Sequence, residues 1–464
     1  MNEETILGKT SKKEWAIWLF CLLAPLLIFL VPVTDSFTAQ MRLFLVLTLM
    51  AIMMFAFDIV PQAVPAICLP IAYVLFGLAP SEMVYSVWAG YIPWMMLGGL
   101  VLASVLQSTG LMSRIAYWCI IKTGSSYMGI LIGLAFTGII GNLLAPGKVA
   151  IPMAALTYGI CMALNLGKSK ASAGIMLGGA ASALLPQQFL YNPTNMALTV
   201  GSGAPVTGEL SVTWWDYFYI NLPALFFVFV VVIAIAFLCK PKEAFSEKAY
   251  FEQEYSKLGK IKTNEVKTAL VCCGLFLFLI TSKWHGLEVG WGFALFPCLF
   301  FIPGIRVGKR EDLTRVDFSF VLFIASCLAI GNTAGELGIG KLIADMAVPV
   351  IEGKSIFFTF GLTWVIIVLA NFILTPLAIL ACLSLPMAQI ALNIGIDPLA
   401  IYFLMINATD QIIFPYEYAL YLIFFSFGLI RMKDFAQVMA VKMGLNFIFC
   451  MVVMIPYWKL IGLI

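Results

Sequence analysis

Charge is what this sequence has least of. Only 11% of its 464 residues are Asp, Glu, Lys or Arg, less than half the share with which an average soluble domain covers itself. A water-facing exterior is thereby excluded for most of the chain. Histidine is rarer still: the single one, His285, sits in a polar turn after Lys283 and reads as an ordinary loop residue. Its isolation removes most histidine-based catalysis and metal binding. A phosphate-cradling glycine loop, Cys/His ligand spacing and a Ser-His-Asp set are also missing, so any enzyme reading rests on carboxylates alone. Eleven cysteines are present, but Cys21, Cys119, Cys272, Cys273 and Cys450 lie inside apolar runs and read as packing residues. The net charge of +3 is too small to hold nucleic acid. Short alternating segments of the kind that build a membrane barrel are lacking too.

What is there is apolar. Hydrophobic residues make up 62% of the chain, in blocks such as 15–33, 44–60 and 217–238, each near the roughly 20 residues a helix needs to cross about 30 Å of hydrocarbon. The expected fold is an all-α polytopic membrane protein. Spans are predicted at 14–33, 40–57, 60–79, 88–121, 173–200 and 214–239, then at 266–283, 288–305, 317–346, 396–430 and 435–461, roughly 11 by the length criterion. The first is too long and lacks the cleavage site of a signal peptide, and reads as a retained span. Two further apolar stretches, 125–165 and 353–392, are interrupted near their middles and read as re-entrant hairpins. Non-helical backbone at membrane depth survives only inside protein or beside water, so either stretch marks an interior.

Lysine and arginine orient this chain. Lys9, Lys12 and Lys13 put the N-terminus in the cytoplasm. Six crossings return the chain to that side at 240–267, which holds seven lysines and five glutamates. The expected location is a bacterial-type inner (plasma) membrane, crossed many times. Residues 240–265 form a charged cytoplasmic linker, read as a solvated loop, between halves 1–239 and 266–464.

The halves carry matching fragments in one order. Ile151-Pro152-Met153-Ala154 recurs as Leu385-Pro386-Met387-Ala388, and Pro193-Thr194-Asn195-Met196-Ala197-Leu198 as Pro415-Tyr416-Glu417-Tyr418-Ala419-Leu420. Separated by an odd number of crossings, the copies form an inverted repeat. Such repeats place substrate near the bilayer midplane, where broken helices face anions with their N-termini and cations with freed carbonyls. Candidate breaks carry the candidate site. The first hairpin offers Asn142, Pro146, Gly147 and Lys148; a lysine inside the membrane is costly and therefore a functional candidate, for a substrate carboxylate or in place of a metal cation. The first broken span offers Asn192, Pro193, Thr194 and Asn195, the second hairpin Asn371, Thr375 and Pro376, and the second broken span Thr409, Asp410, Pro415 and Glu417. Asp410 and Glu417, with Asn371 and Thr409, are the candidates for ion or proton coupling. No cofactor is expected, and sodium is the one candidate metal.

Here the chain resembles the divalent anion sodium symporter family of the ion transporter superfamily, which comprises dicarboxylate, citrate and sulfate carriers. The resemblance runs over nearly the whole chain. Asn192-Pro193-Thr194-Asn195 with Gly201-Ser202-Gly203 looks like that family's Thr-Pro-Pro-Asn segment and the Gly-Ser-Gly after it, and Pro415-Tyr416-Glu417 stands at the equivalent place. It implies a homodimer with a fixed scaffold and a transport domain that moves like an elevator. The family's Ser-Asn-Thr hairpin tips are absent: counting back from Pro152 and Pro386 gives Asn142-Leu143-Leu144 and Pro376-Leu377-Ala378. Sodium coupling does not carry over, and Lys148 and Glu417 point to a fixed cation or a titrating acid replacing one sodium. The expected function is secondary transport of a small organic anion, a di- or tricarboxylate, coupled to sodium, protons or counter-anion exchange. A sulfate-like substrate, a channel and a membrane-embedded enzyme on the same scaffold are the alternatives.

Overall fold

The computed structural model describes residues 12–57, 60–208, 210–241, 247–314, 316–339, 342, 354–372 and 374–464. Lys9, the side chains of Lys12 and Lys13, part of the linker, part of the predicted span 317–346 and the start of the second predicted hairpin lie outside the described residues.

Every regular element among the described residues is helical. Five helices there are long and apolar enough to cross a membrane unaided: Tyr127–Leu144, Thr263–Ile280, Phe318–Glu336, Pro376–Asn393 and the continuous Met432–Leu460. Bent pairs raise that to at most seven. The shortfall against the predicted spans comes from breaks. Residues 14–33 are helix Lys12–Leu23 followed by a 3-10 stretch, Ala24–Leu30, opened by Pro25. Val289–Leu295 passes into Phe296–Phe301 at Pro297 in the same way. Each proline removes a backbone donor and crowds the preceding turn. The predicted span 88–121 is two helices, Ile92–Thr109 and Leu111–Lys122, that meet at Gly110 with φ +77°.

Each interrupted stretch, hereafter a hairpin, is two helices joined at a short break. The first has arms Tyr127–Leu144 and Ala150–Ala163, the second Ile356–Asn371 and Pro376–Asn393. Ser126, Ser355 and Thr375 cap three of these arms by accepting from the N–H of Gly129, Phe358 and Ala378, each satisfying a donor that a helix start leaves orphaned. Both expected broken helices are also present. Lys170–Leu184 gives way to a 3-10 turn at Leu185–Gln188 and restarts at Pro193, running through a π-helical turn, Ala197–Gly201, to Thr207. Pro398–Thr409 gives way to a 3-10 turn at Pro415–Glu417 and restarts at Ala419.

In both halves the two hairpin arms pack on the helix that precedes the break. The approach in the first half is close enough that a Cβ on Gly138 would lie 1.7 Å from the carbonyl oxygen of Ser182. The restarted helix of the first half is wedged between Phe318–Glu336 and the second hairpin, so elements from both halves meet around the two breaks. The linker departs from the solvated loop read from its charges. It contains a helix, Lys248–Lys257, that docks on Leu111–Lys122 through the buried Phe251. Arg114 fastens the chain beyond it, pairing with Glu265 at 2.7 Å and donating to the carbonyls of Leu258, Gly259 and Lys260. Charge content misled here because one arginine from a span satisfies carbonyls that water was expected to take.

Two glycines test this packing. Gly138→Ala is expected to lower stability by about 1–3 kcal/mol through overpacking. Gly159, with open space where its Cβ would go, is expected to tolerate Ala or gain up to about 1 kcal/mol. Thermal unfolding of the detergent-solubilised variants distinguishes them, and equal effects would contradict the helix contact.

Candidate functional site

A helix that stops inside a membrane leaves its last four carbonyls without intrahelical partners, and each one left in an apolar surrounding costs several kcal/mol. The two broken helices solve this with the same residue type from the same place. Asn142, at the end of the first hairpin's first arm, donates its amide to the carbonyl of Ala183 at 3.0 Å and accepts from the N–H of Gly147 at 3.1 Å. Asn371, at the end of the second hairpin's first arm, donates to the carbonyls of Ala408, Thr409 and Gln411 at 3.4, 3.2 and 2.9 Å. By role, therefore, the mate of Asn142 is Asn371. Counting back from Pro386 arrives at Pro376 instead, because Pro152 is the third residue of its arm and Pro386 the eleventh.

The first tip turns at Pro146-Gly147, with Gly147 at φ +72°, and projects Lys148 into a cavity. That cavity is lined by Met95, Met96, Ala145, Pro146, Pro193 and Thr194. The lysine Nζ stands 4.7 Å from the ring centroid of Phe320, and no carboxylate pairs with it among the described residues. Across the cavity lies the restart of the first broken helix. Asn192 caps it, its Oδ1 accepting from the N–H of Thr194 at 2.9 Å and of Asn195 at 3.2 Å while its Nδ2 donates to Gln187 at 2.6 Å. Pro193 occupies the first helical position, where its missing donor is harmless. Asn142 and Asn192 thus spend their amides on the frame, whereas Lys148 and Thr194 face the space.

Asn195 faces the other way. With Gln187, Gln188, Pro376, Thr409, Asp410 and Tyr418 it lines a second cavity beneath the second hairpin tip. Thr375 is occupied as the helix cap and lies beside this cavity's Pro376. Asp410 does not stand alone, although the chain between it and Glu417 holds no base. Lys442, from the terminal helix and almost wholly buried, approaches the Oδ2 of the largely buried Asp410 at 2.6 Å and also donates to the Asp410 carbonyl at 2.5 Å. Tyr421 adds a long hydroxyl contact to the same carboxylate at 3.4 Å. Glu417 is placed differently. Its carboxylate accepts from the N–H of Phe414 at 2.8 Å and of Ile413 at 3.3 Å, which makes it the cap of the Pro415 turn.

The structure thus gathers Pro146, Lys148, Pro193 and Thr194 around one cavity and Asn195, Pro376, Thr409 and Asp410 around the other. Lys442, Gln187 and Gln188 join them, though the sequence reading singled out none of the three. Lys442 had a signal, a charge near the middle of the apolar run 435–461, whose other charge, Lys459, stands at its end. Gln188 had a weaker one, a second adjacent amide in the run 173–200. It is 3% exposed, and neither amide atom has a hydrogen-bond partner among the described residues.

A family model for citrate transporters matches residues 52–408. Among solved structures, the YdaH transporter of Alcanivorax borkumensis superposes with a TM-score of 0.57 at 14% identity, covering 97% of this chain and 99% of that one. MtrF of Neisseria gonorrhoeae, from a class of antimetabolite efflux pumps, superposes with a TM-score of 0.53 at 13% identity, covering 97% and 95%. At such identities these two likenesses speak for the fold. A search of curated protein sequences finds no match.

The cap at the first break is testable apart from transport. Asn192→Ala is expected to cost about 1–2 kcal/mol, the usual loss of a helix cap, while Asn192→Ser retains most of it. Thermal unfolding reads both, and an Ala variant as stable as the parent would remove Asn192 from this role.

Proposed function

Because the chain belongs to the citrate transporter family, we propose that it carries a small organic anion, a di- or tricarboxylate, across a bacterial-type inner membrane. The family and both solved relatives are transporters rather than enzymes, and the chain is a multi-pass helical membrane protein.

The observation that carries the substrate reading is Lys148. It is a buried cation with no carboxylate in ion-pair contact among the described residues, Asp317 acting on it only from a distance, and it is set opposite the start of a helix in a cavity whose walls, Thr194 apart, are apolar. An unpaired ammonium in such a place is expensive unless a ligand brings the opposite charge. The helix start adds partial positive charge of the same sign. One carboxylate of the substrate meets Lys148 and Thr194, and the substrate's remaining polar groups reach towards Asn195 and Gln188 past the break.

Alternating access follows from the division of the elements. The hairpins, the broken helices and the terminal helix that bears Lys442 carry every candidate residue and move together as the transport domain, and the remaining helices form the scaffold of a homodimer. The N-terminus lies in the cytoplasm, and the two halves are inverted copies. Coupling is to sodium, protons or a counter-anion.

In proteoliposomes, labelled citrate is expected to exchange against internal citrate and to saturate. Uncoupled, non-saturating current would indicate a channel, and a chemically altered product an enzyme. Lys148→Met is expected to weaken citrate binding about 10- to 100-fold, the scale of one charged hydrogen bond, while Lys148→Arg retains part of it. Unchanged binding in the Met variant would remove Lys148 from the site.

A further inference from the structure

The geometry points to Lys442 as a resident cation. Its ammonium fills a cation site built from the second break, and removing the side chain leaves a site that a small free monovalent cation will occupy. This assignment rests on the geometry of the break and holds whichever anion is carried.

The site begins with the carbonyl end of Pro398–Thr409, where the helix dipole places partial negative charge. Asn371 takes the carbonyls of Ala408, Thr409 and Gln411, which leaves the carbonyl of Asp410. A full negative charge is added at the same residue by its carboxylate, which lines the cavity. Buried carbonyls and a carboxylate converging at a helix break are the surroundings in which membrane transporters coordinate small cations. Here the ammonium of Lys442 supplies the charge. It lies 2.6 Å from the carboxylate and 2.5 Å from the carbonyl of Asp410, and 5.2 Å from the ring centroid of Tyr421, a face that favours a cation.

Two contrasts show that this is a built arrangement. Lys442 stands ten residues into a helix that starts at Met432, about 15 Å along its axis at 1.5 Å per residue. It is 2% exposed, far from any reach to water by snorkelling. At the first break, moreover, no such residue is found among the described residues: the carbonyl of Ala183 is met by the neutral amides of Asn142 and Gln187. A cation is fixed where the break also carries an acid.

The test compares the thermal stability of purified protein in sodium, methylammonium and choline chlorides at equal concentration. The parent is expected to melt at the same temperature in all three. Lys442→Ala is expected to melt about 5 °C or more lower in choline, as a stranded buried carboxylate should, and to recover most of that loss in sodium or methylammonium. The double variant Lys442→Ala with Asp410→Asn is expected to be indifferent to the cation. Recovery of the single variant only in methylammonium equally supports a resident cation, whereas recovery only together with Asp410→Asn, with no response to either small cation, shows a plain ion pair and overturns it. Also overturning are a Lys442→Ala variant as stable as the parent in choline, or one that loses the same stability in all three salts with the double variant no better.

Discussion

Two helices end inside an apolar surrounding, and their bared carbonyls must be satisfied there. That requirement organises the rest of the molecule. In each half a hairpin is folded back so that the asparagine at its tip, Asn142 or Asn371, reaches the carbonyl end of the broken helix beside it. Close contacts such as Gly138 on Ser182 bring the hairpin arm near enough for the amide to reach. Once the carbonyls are capped, the turns that follow are free to present Pro193, Thr194 and Asn195 in one half and Asp410 in the other.

The halves share this frame but differ in charge. At the first break a lysine reaches a cavity from the hairpin tip and meets no carboxylate among the described residues. At the second, a lysine from the terminal helix is locked to Asp410 at 2.6 Å. Free positive charge stands at one end of the pair of cavities and compensated charge at the other. The asymmetry is what the proposed carriage of an anion would use, since every unpaired charge in the membrane is costly.

Much of this was legible in the sequence. Apolar runs disclosed the membrane class, the interruptions at Pro146-Gly147 and Thr375-Pro376 disclosed the hairpins, and Lys148 stood out as a charge where none is cheap. What was not legible depends on helices that meet only in three dimensions. Asp410 and Glu417 look alike as acids in an apolar stretch. Yet one meets Lys442, 32 positions away, and the other turns back on its own backbone at Phe414. Local spacing cannot tell these fates apart. The linker's charges read as solvated because Arg114, the residue that orders it, belongs to a different element. Continuous spans were expected where Pro25 and Pro297 begin 3-10 turns, since apolar composition survives a change of helix type that shortens the α-helix itself.

A cryo-electron microscopy map of the protein in lipid nanodiscs saturated with citrate tests the account most directly. It predicts carboxylate density between Lys148 and the Pro193–Thr194 turn, with the Lys442–Asp410 pair intact. Citrate density against Lys442 with Asp410 displaced, or none near Lys148, would contradict it.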